Sequence, residues 1–162
     1  MIVSFDLDGV IANTDSAILA TLHQAVLDKV TNAEGRLLRY YATRSVQLQP
    51  REWLTYNDKL VIITGRSPMS HQVTKLWVAK NIPRAAIFFA TTPEIEALFA
   101  QERYAEGSAL LGKRKLEFLQ EIDAQVHIDN NPIIVRVLRK AGIVALQYGG
   151  AVWPVNNHTG SA

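Results

Sequence analysis

The sequence contains no cysteine, and its charge is nearly balanced, with 17 Lys and Arg against 15 Asp and Glu. The missing cysteines exclude disulfides, zinc-thiolate sites and thiol catalysis, and they favour a reducing compartment, so we expect a cytoplasmic protein. A net charge of +2 is too small to indicate nucleic acid or an anionic membrane as a partner. The apolar run of residues 1–5 ends at Asp6, so neither a signal peptide nor a membrane span is predicted.

The size and composition are those of one globular domain. The chain has 162 residues, of which 48% are hydrophobic, and this is enough to bury a core without disulfides. We therefore predict a single domain over residues 1–150, followed by a polar tail over residues 151–162. Residues 31–58 have the least regular pattern and mix arginine and tyrosine with acidic residues. This stretch is predicted to form a small cap or cover over a site.

Short apolar runs alternate with segments of helical period along the chain. The runs predicted as buried strands are Ile2–Phe5, 60–63, 85–89, 126–128 and 143–146. Between them, apolar residues recur every three to four positions, and Pro68, Pro93 and Pro132 stand where helices would begin. This alternation predicts a three-layer α/β/α sandwich with a mostly parallel, doubly wound sheet of about five strands.

Polar residues follow three of the predicted strands, as Asp-Leu-Asp-Gly at 6–9, Thr-Gly-Arg at 64–66 and Asp-Asn-Asn at 129–131. In a parallel sheet these ends meet at the carboxyl edge, where ligands bind. Asp6 and Asp8 would share one face if the strand continued, and Gly9 would let the chain turn away. Paired carboxylates repel unless a cation lies between them, and Mg²⁺ suits such oxygen ligands, with Asp129 as a third. Alternatively, these residues only end a strand and begin a turn.

The same segments, together with Lys115, resemble in order and spacing the four motifs of the haloacid dehalogenase-like (HAD) hydrolase superfamily. The resemblance covers nearly the whole chain and implies a magnesium-dependent phosphatase with a Rossmann-like fold and a minimal cap. It implies that Asp6 is the nucleophile, which forms an aspartyl-phosphate. Asp8 would be the general acid and then the general base.

The resemblance also implies roles for the residues that hold the phosphate. Thr64 and the Gly65 amide would bind a phosphate oxygen, and Lys115 would neutralise charge on the nucleophile and the transferring group. Lys115 precedes Asp129 by 14 residues (129 − 115), which predicts that it lies at the start of a helix beside the site. Lys113 is a rival for this role, and either lysine could instead be part of a solvated helix end.

The metal ligands implied by the resemblance are Asp129, an Asp6 carboxylate oxygen and the Asp8 backbone carbonyl. Asn130 stands where many relatives carry a second acidic residue, and its amide brings no charge to the metal. His127 lies two residues before Asp129, but a histidine in a packed strand is more often a hydrogen-bonded core residue than a metal ligand.

The role of Arg66 and the identity of the substrate stay open. Arg66 is predicted to bind substrate phosphate, with a cap on its own loop as the alternative. The expected partner is a small phosphorylated molecule: a nucleotide, the phosphorylated end of a nucleic acid or a sugar phosphate. The polar ending of the chain, residues 153–158, faintly resembles the tails of deoxynucleotidase relatives.

Three other activities are compatible with parts of the pattern. A dehalogenase would not need Asp8, because halide leaves without a proton. A phosphoryl-receiver domain would place its lysine after the last strand, whereas Lys115 precedes the fourth predicted strand. A binding or regulatory protein on a catalytically weak hydrolase scaffold is the remaining alternative, and Asn130 favours it.

Overall fold

Five strands form one parallel sheet in the computed structural model, which describes residues 1–149. The strands are β1 (Ile2–Phe5), β2 (Lys59–Thr64), β3 (Ala86–Phe89), β4 (Val126–Asp129) and β5 (Val144–Gln147). Their order in the sheet is β3-β2-β1-β4-β5, so β1 lies at the centre between β2 and β4. The predicted parallel sheet of about five strands is confirmed.

Six α-helices connect and flank the strands in the described part of the chain. They are α1 (Ser16–Leu27), α2 (Ala33–Ala42), α3 (His71–Asn81), α4 (Pro93–Ala100), α5 (Tyr104–Glu121) and α6 (Pro132–Lys140). Proline stands at the first turn of α4 and α6, as predicted, whereas Pro68 begins a short 3₁₀ turn just before α3. The Thr92 and Asn131 side chains cap the N-termini of α4 and α6 by accepting backbone N–H bonds.

The core lies on both faces of the sheet, because successive strand residues point to opposite sides. In β2, Ile62 packs in one apolar cluster with Trp77 of α3, while Ile63 packs in the other with Leu119 of α5 and Ile134 of α6. Helices therefore cover both faces, which confirms the three-layer α/β/α sandwich. No helix within residues 1–149 has the length and apolar character that crossing a membrane requires.

Helices α1 and α2 form a hairpin in the connection between β1 and β2, and α2 lies within residues 31–58, where the sequence predicted an irregular cover. The prediction missed α2 because only Ala33, Leu37 and Tyr41 of this helix are buried, and charged residues separate them. This spacing of four residues places the three side chains on one helix face. Residues 31–58 otherwise contain one 3₁₀ turn, Pro50–Glu52, and the tail predicted for residues 151–162 lies outside the described residues.

Candidate active site at the carboxyl edge of the sheet

Asp6 follows β1 directly and is held by a buried lysine. Its backbone N–H donates to the Ile128 carbonyl at 2.8 Å, so the pairing of β1 with β4 extends one residue beyond β1. Lys115 Nζ donates to Asp6 Oδ1 at 2.8 Å, and the Asp6 side chain keeps 12% of its surface exposed. The carboxylate is thus anchored through one oxygen and remains reachable from solvent.

Lys115, not Lys113, is the lysine at this site. Lys115 is only 1% exposed, and its Nζ also donates to Asp129 Oδ2 at 2.7 Å, whereas Lys113 is exposed. The prediction that Lys115 begins its helix is wrong, because α5 starts at Tyr104, about three turns earlier.

The first half of α5 was not predicted because it contains Gly107 and Gly112, and glycine in a helical segment weakens the prediction of a helix. Both lie at close contacts. A Cβ on Gly107 would approach the Phe99 ring to 3.1 Å, and one on Gly112 would approach Val137 and the Ile134 backbone to 3.2 and 3.3 Å. The absence of side chains lets α5 pack tightly against its neighbours, and this brings Lys115 to the strand ends.

Asp129, at the end of β4, is held from three sides. Its Oδ2 accepts from Lys115 and lies 3.0 Å from His127 Nε2, and its Oδ1 accepts from the Asn131 backbone N–H at 2.9 Å. His127 is buried, and burial lowers its pKa. Its Nε2 faces the Asp129 carboxylate, and its Nδ1 lies 2.6 Å from the Ser4 hydroxyl oxygen. His127 is therefore a hydrogen-bonded core residue that orients Asp129.

The charges of this trio give the two carboxyls different proton affinities. Burial raises the pKa of Asp6 to about 7; the charge of Lys115 opposes this rise and that of Asp129 adds to it. Burial also acts to raise the pKa of Asp129, but Lys115 and the His127 hydrogen bond outweigh it, and the pKa is lowered. Burial disfavours the charged form of Lys115, but Asp129 and Asp6 raise its pKa. Further positive charge near the site would therefore favour the ionised form of Asp6 more than that of Asp129, because only the pKa of Asp6 is raised.

Asp8 points to a different set of partners from Asp6, because the chain turns instead of continuing as a strand. The Leu7 carbonyl accepts from the N–H groups of residues 10–12, which closes a tight turn around Gly9. Arg66 donates two hydrogen bonds to the Asp8 carboxylate, from Nε to Oδ2 at 2.8 Å and from Nη2 to Oδ1 at 2.7 Å. The Thr14 hydroxyl also donates to Oδ1, at 2.7 Å. Burial acts to raise the pKa of Asp8, but Arg66 and Thr14 lower it.

Gly9 and Asn130 fit against each other beside this turn. Gly9 has φ +77°, and a Cβ there would lie 2.1 Å from Asn130 Nδ2. The turn that follows Asp8 therefore requires glycine at position 9, both for its backbone angle and for space. The Asn130 side chain occupies the space beside Gly9 and contributes no charge to the site.

Thr64 and Gly65 lie at the end of β2, which neighbours β1 in the sheet. Thr64 is buried, and its Oγ1 accepts from the Arg66 backbone N–H at 3.3 Å. A Cβ on Gly65 would approach Leu111 to 2.8 Å, so Gly65 allows α5 to approach this strand end. The structure brings Asp6, Lys115 and Asp129 into direct contact, with Asp8 and Arg66 paired nearby.

Sequence analysis missed several residues that support the site. Ser4 had a detectable signal, because it is a polar residue inside an apolar strand. Tyr41 also had one, since it follows Ala33 and Leu37 at intervals of four residues, the spacing of one helix face. Thr14 and Thr74 had none, because their contacts with Asp8 and Arg66 depend on the tertiary fold.

No protein-family model and no curated protein sequence matches this chain. Within the described residues, no group of three or more His, Cys, Asp or Glu side chains is arranged to hold a metal ion. Lys115 lies between Asp6 and Asp129, and Arg66 occupies the Asp8 carboxylate, so cations of the chain itself separate the three carboxylates.

Proposed function

We propose that this protein is a phosphatase that cleaves phosphate monoesters through an aspartyl-phosphate on Asp6, as members of the HAD superfamily do. The observation that carries the proposal is the Lys115 ammonium, which bonds both Asp6 and Asp129 at the carboxyl edge of the sheet. A buried lysine on a nucleophilic carboxylate also supplies charge for an incoming phosphate dianion. The Asp6 side chain is 12% exposed, so a substrate can reach this carboxylate, and a purely structural ion pair would not require such access.

The proposed reaction has two steps. In the first, an Asp6 carboxylate oxygen attacks phosphorus, the bond from phosphorus to the leaving oxygen breaks, and Asp8 gives that oxygen its proton. In the second, water attacks the phosphorus of the aspartyl-phosphate and passes a proton to Asp8, which releases phosphate and restores both carboxyl groups. The Asp8 side chain is 20% exposed, so it can exchange protons with solvent.

Mg²⁺ is the cofactor that we include in this proposal, held by Asp6, Asp129 and the Asp8 main-chain carbonyl. Mg²⁺ keeps several of its waters and commonly uses only one or two carboxylates, so a cluster of three acidic side chains is not needed. The three carboxylates of Asp6, Asp8 and Asp129 face two cations, Lys115 and Arg66, so one negative charge is left uncompensated when all three are ionised. Bound Mg²⁺ would supply positive charge, which favours ionised Asp6 and offsets the charge of the phosphate.

The substrate class that we propose is a phosphorylated small molecule, and a nucleotide, a nucleic-acid end and a sugar phosphate stay open within it. The α1–α2 hairpin and the 3₁₀ turn Pro50–Glu52 are the helical elements between β1 and β2. A cover of this size would leave part of the site accessible to a bulky leaving group. The lack of cysteine is consistent with activity in the cytoplasm.

The test is phosphate release from an aryl phosphate and from a panel of nucleotide and sugar phosphates, with Mg²⁺ and with a chelator. We expect Mg²⁺-dependent release by the wild-type protein. The Asp6→Asn variant is the matched control, because its amide has the same shape and cannot attack. Equal release by wild type and Asp6→Asn would overturn the covalent mechanism.

A second candidate is a binding or regulatory protein that keeps the fold without turnover. Asn130 favours it, because its amide stands where many relatives carry a second acidic residue and brings no charge to a bound metal. Absence of phosphate release across the panel, with binding of Mg²⁺ or of a phosphate compound seen by calorimetry, would support this candidate over the phosphatase.

A further inference from the structure

Arg66 is enclosed by partners on all sides of its guanidinium group. Its side chain is 1% exposed, Nε and Nη2 donate to Asp8, and Nη1 donates to Thr74 Oγ1 at 3.1 Å. Each of the three nitrogens therefore has a bond within the protein. Three of the five N–H donors of the guanidinium are used in this way. Because the side chain is 1% exposed, a substrate phosphate could reach Arg66 only if the surrounding residues moved.

The flat face of the guanidinium rests on an aromatic ring from the helical hairpin. Arg66 Cζ lies 3.8 Å from the centroid of the Tyr41 ring in α2, and Tyr41 is 1% exposed. The Tyr41 hydroxyl lies 3.1 Å from Nε2 of His23 in α1, so the ring also contacts the other helix of the hairpin. Stacking fixes the plane of the guanidinium, and the paired bonds then fix the plane of the Asp8 carboxylate.

We propose that Arg66 is a positioning residue that aims the Asp8 carboxyl at the leaving oxygen, with Tyr41 holding Arg66 in place. This inference rests on the proposed phosphatase activity. A carboxyl free to rotate about its last torsion would spend little time in line with the leaving oxygen, so fixing its plane raises the chance of proton transfer. Among the described residues, Oδ1 accepts from both Arg66 and Thr14 and Oδ2 from Arg66 alone, so Oδ2 keeps the lone pair that would carry the proton. The α1–α2 hairpin thereby contributes to the chemistry without a side chain on the substrate.

The role of Arg66 can be separated from substrate binding by varying the leaving group. A dinitrophenolate leaves without a proton, whereas the alkoxide of an alkyl phosphate needs one. Arg66→Lys keeps the charge and loses the paired bonds. We expect its kcat to fall about 100-fold with an alkyl phosphate and only a few-fold with dinitrophenyl phosphate, with KM nearly unchanged for both. Tyr41→Leu should show the same pattern more weakly, since it removes the ring and leaves Arg66 in place.

Arg44→Lys is the matched control. Arg44 also stacks on a tyrosine of the same helix, with Cζ 3.8 Å from the Tyr40 ring, but its hydrogen bonds go to backbone carbonyls and Thr43. Its kinetics should match the wild type for both leaving groups. A second check combines Arg66→Lys with Asp8→Asn. If Arg66 acts only through Asp8, the double variant should be no slower than Asp8→Asn alone.

Several outcomes would overturn the inference, and they differ from a failure of the proposed function. An equal loss for both leaving groups, or a raised KM with unchanged kcat, would show that Arg66 supports the fold or binds substrate. An additive loss in the double variant would contradict action through Asp8. If Arg66→Lys does not fold, Tyr41→Leu decides by the same leaving-group comparison. A wild-type protein without any phosphate release would overturn the proposed function, and this inference with it.

Discussion

Replacing Lys115 with methionine should destabilise the protein strongly, because it leaves two buried carboxylates without their shared cation. Lys115 is 1% exposed and lies 2.8 and 2.7 Å from oxygens of Asp6 and Asp129. Removing one partner of a buried ion pair costs about 3–5 kcal/mol. For a domain of this size that corresponds to a fall in Tm of roughly 6–20 °C.

Urea unfolding followed by tryptophan fluorescence would measure this loss, since Trp77 is only 4% exposed and will report on the core. Lys113→Met is the matched control, because Lys113 lies in the same helix and is exposed. Its free energy of unfolding should stay within about 0.5 kcal/mol of the wild type. Equal losses in the two variants would refute the claim that Lys115 compensates buried charge.

The pH dependence of the Lys115→Met variant gives a second check with a defined sign. Without Lys115, the folded-state pKa values of Asp6 and Asp129 should rise relative to the wild type. A carboxyl with a raised folded-state pKa destabilises the protein above its unfolded-state pKa, and the penalty fades as pH falls through the folded-state pKa. The Asp6 pKa is already about 7 with Lys115 present. The gap between variant and wild type should therefore narrow from pH 8 to pH 5, and a constant gap would contradict this account.

Further predictions concern the fold and the chemistry of the site. Gly9→Ala should lose about 1–3 kcal/mol of unfolding free energy, since φ is +77° and the new Cβ would lie 2.1 Å from Asn130 Nδ2. Gly35→Ala, in a helix with open space around it, should instead gain about 0.5–1 kcal/mol in the same urea titration. Burial lowers the folded-state pKa of His127, so as pH falls the unfolded chain takes up a proton before the folded protein does. Wild type should therefore lose stability relative to His127→Gln as pH falls below 6.5, and parallel stability curves would contradict a lowered pKa for this ring. Asp6→Asn should remove phosphate release while its circular dichroism spectrum and Tm show a folded protein; loss of the fold would indicate that Asp6 is mainly structural.

The strands and the polar residues at their ends were accessible from the sequence because both are local properties. A run such as Ile2–Phe5 is apolar throughout because both faces of the sheet are covered, and Asp6 follows it directly. The order of the polar segments along the chain then predicted which of them would meet. The contact of Lys115 with Asp6 and Asp129 agrees with that expectation, although the helix carrying Lys115 starts much earlier than predicted.

The partners of Asp8 could not be predicted in the same way. Whether Arg66 faces a substrate, its own loop or Asp8 depends on where the α1–α2 hairpin places Tyr41, and that helix was itself missed. The missed helix has a physical reason, because α2 buries only three side chains between charged ones and so lacks the broad apolar stripe that identifies a core helix. Contacts between residues distant in the chain, such as the 58 positions between Asp8 and Arg66, leave no periodic signal.

Chemical trapping during turnover would show whether Asp6 carries the phosphoryl group. The protein is mixed with an aryl phosphate and Mg²⁺, quenched during turnover and treated with borohydride, which reduces an acyl phosphate to an alcohol. Peptide mass spectrometry then locates the reduced side chain. If Asp6 forms the aspartyl-phosphate, we expect reduction at Asp6 only when both the substrate and Mg²⁺ are present. Phosphate release with reduction at another carboxylate, or with none at Asp6, would contradict it.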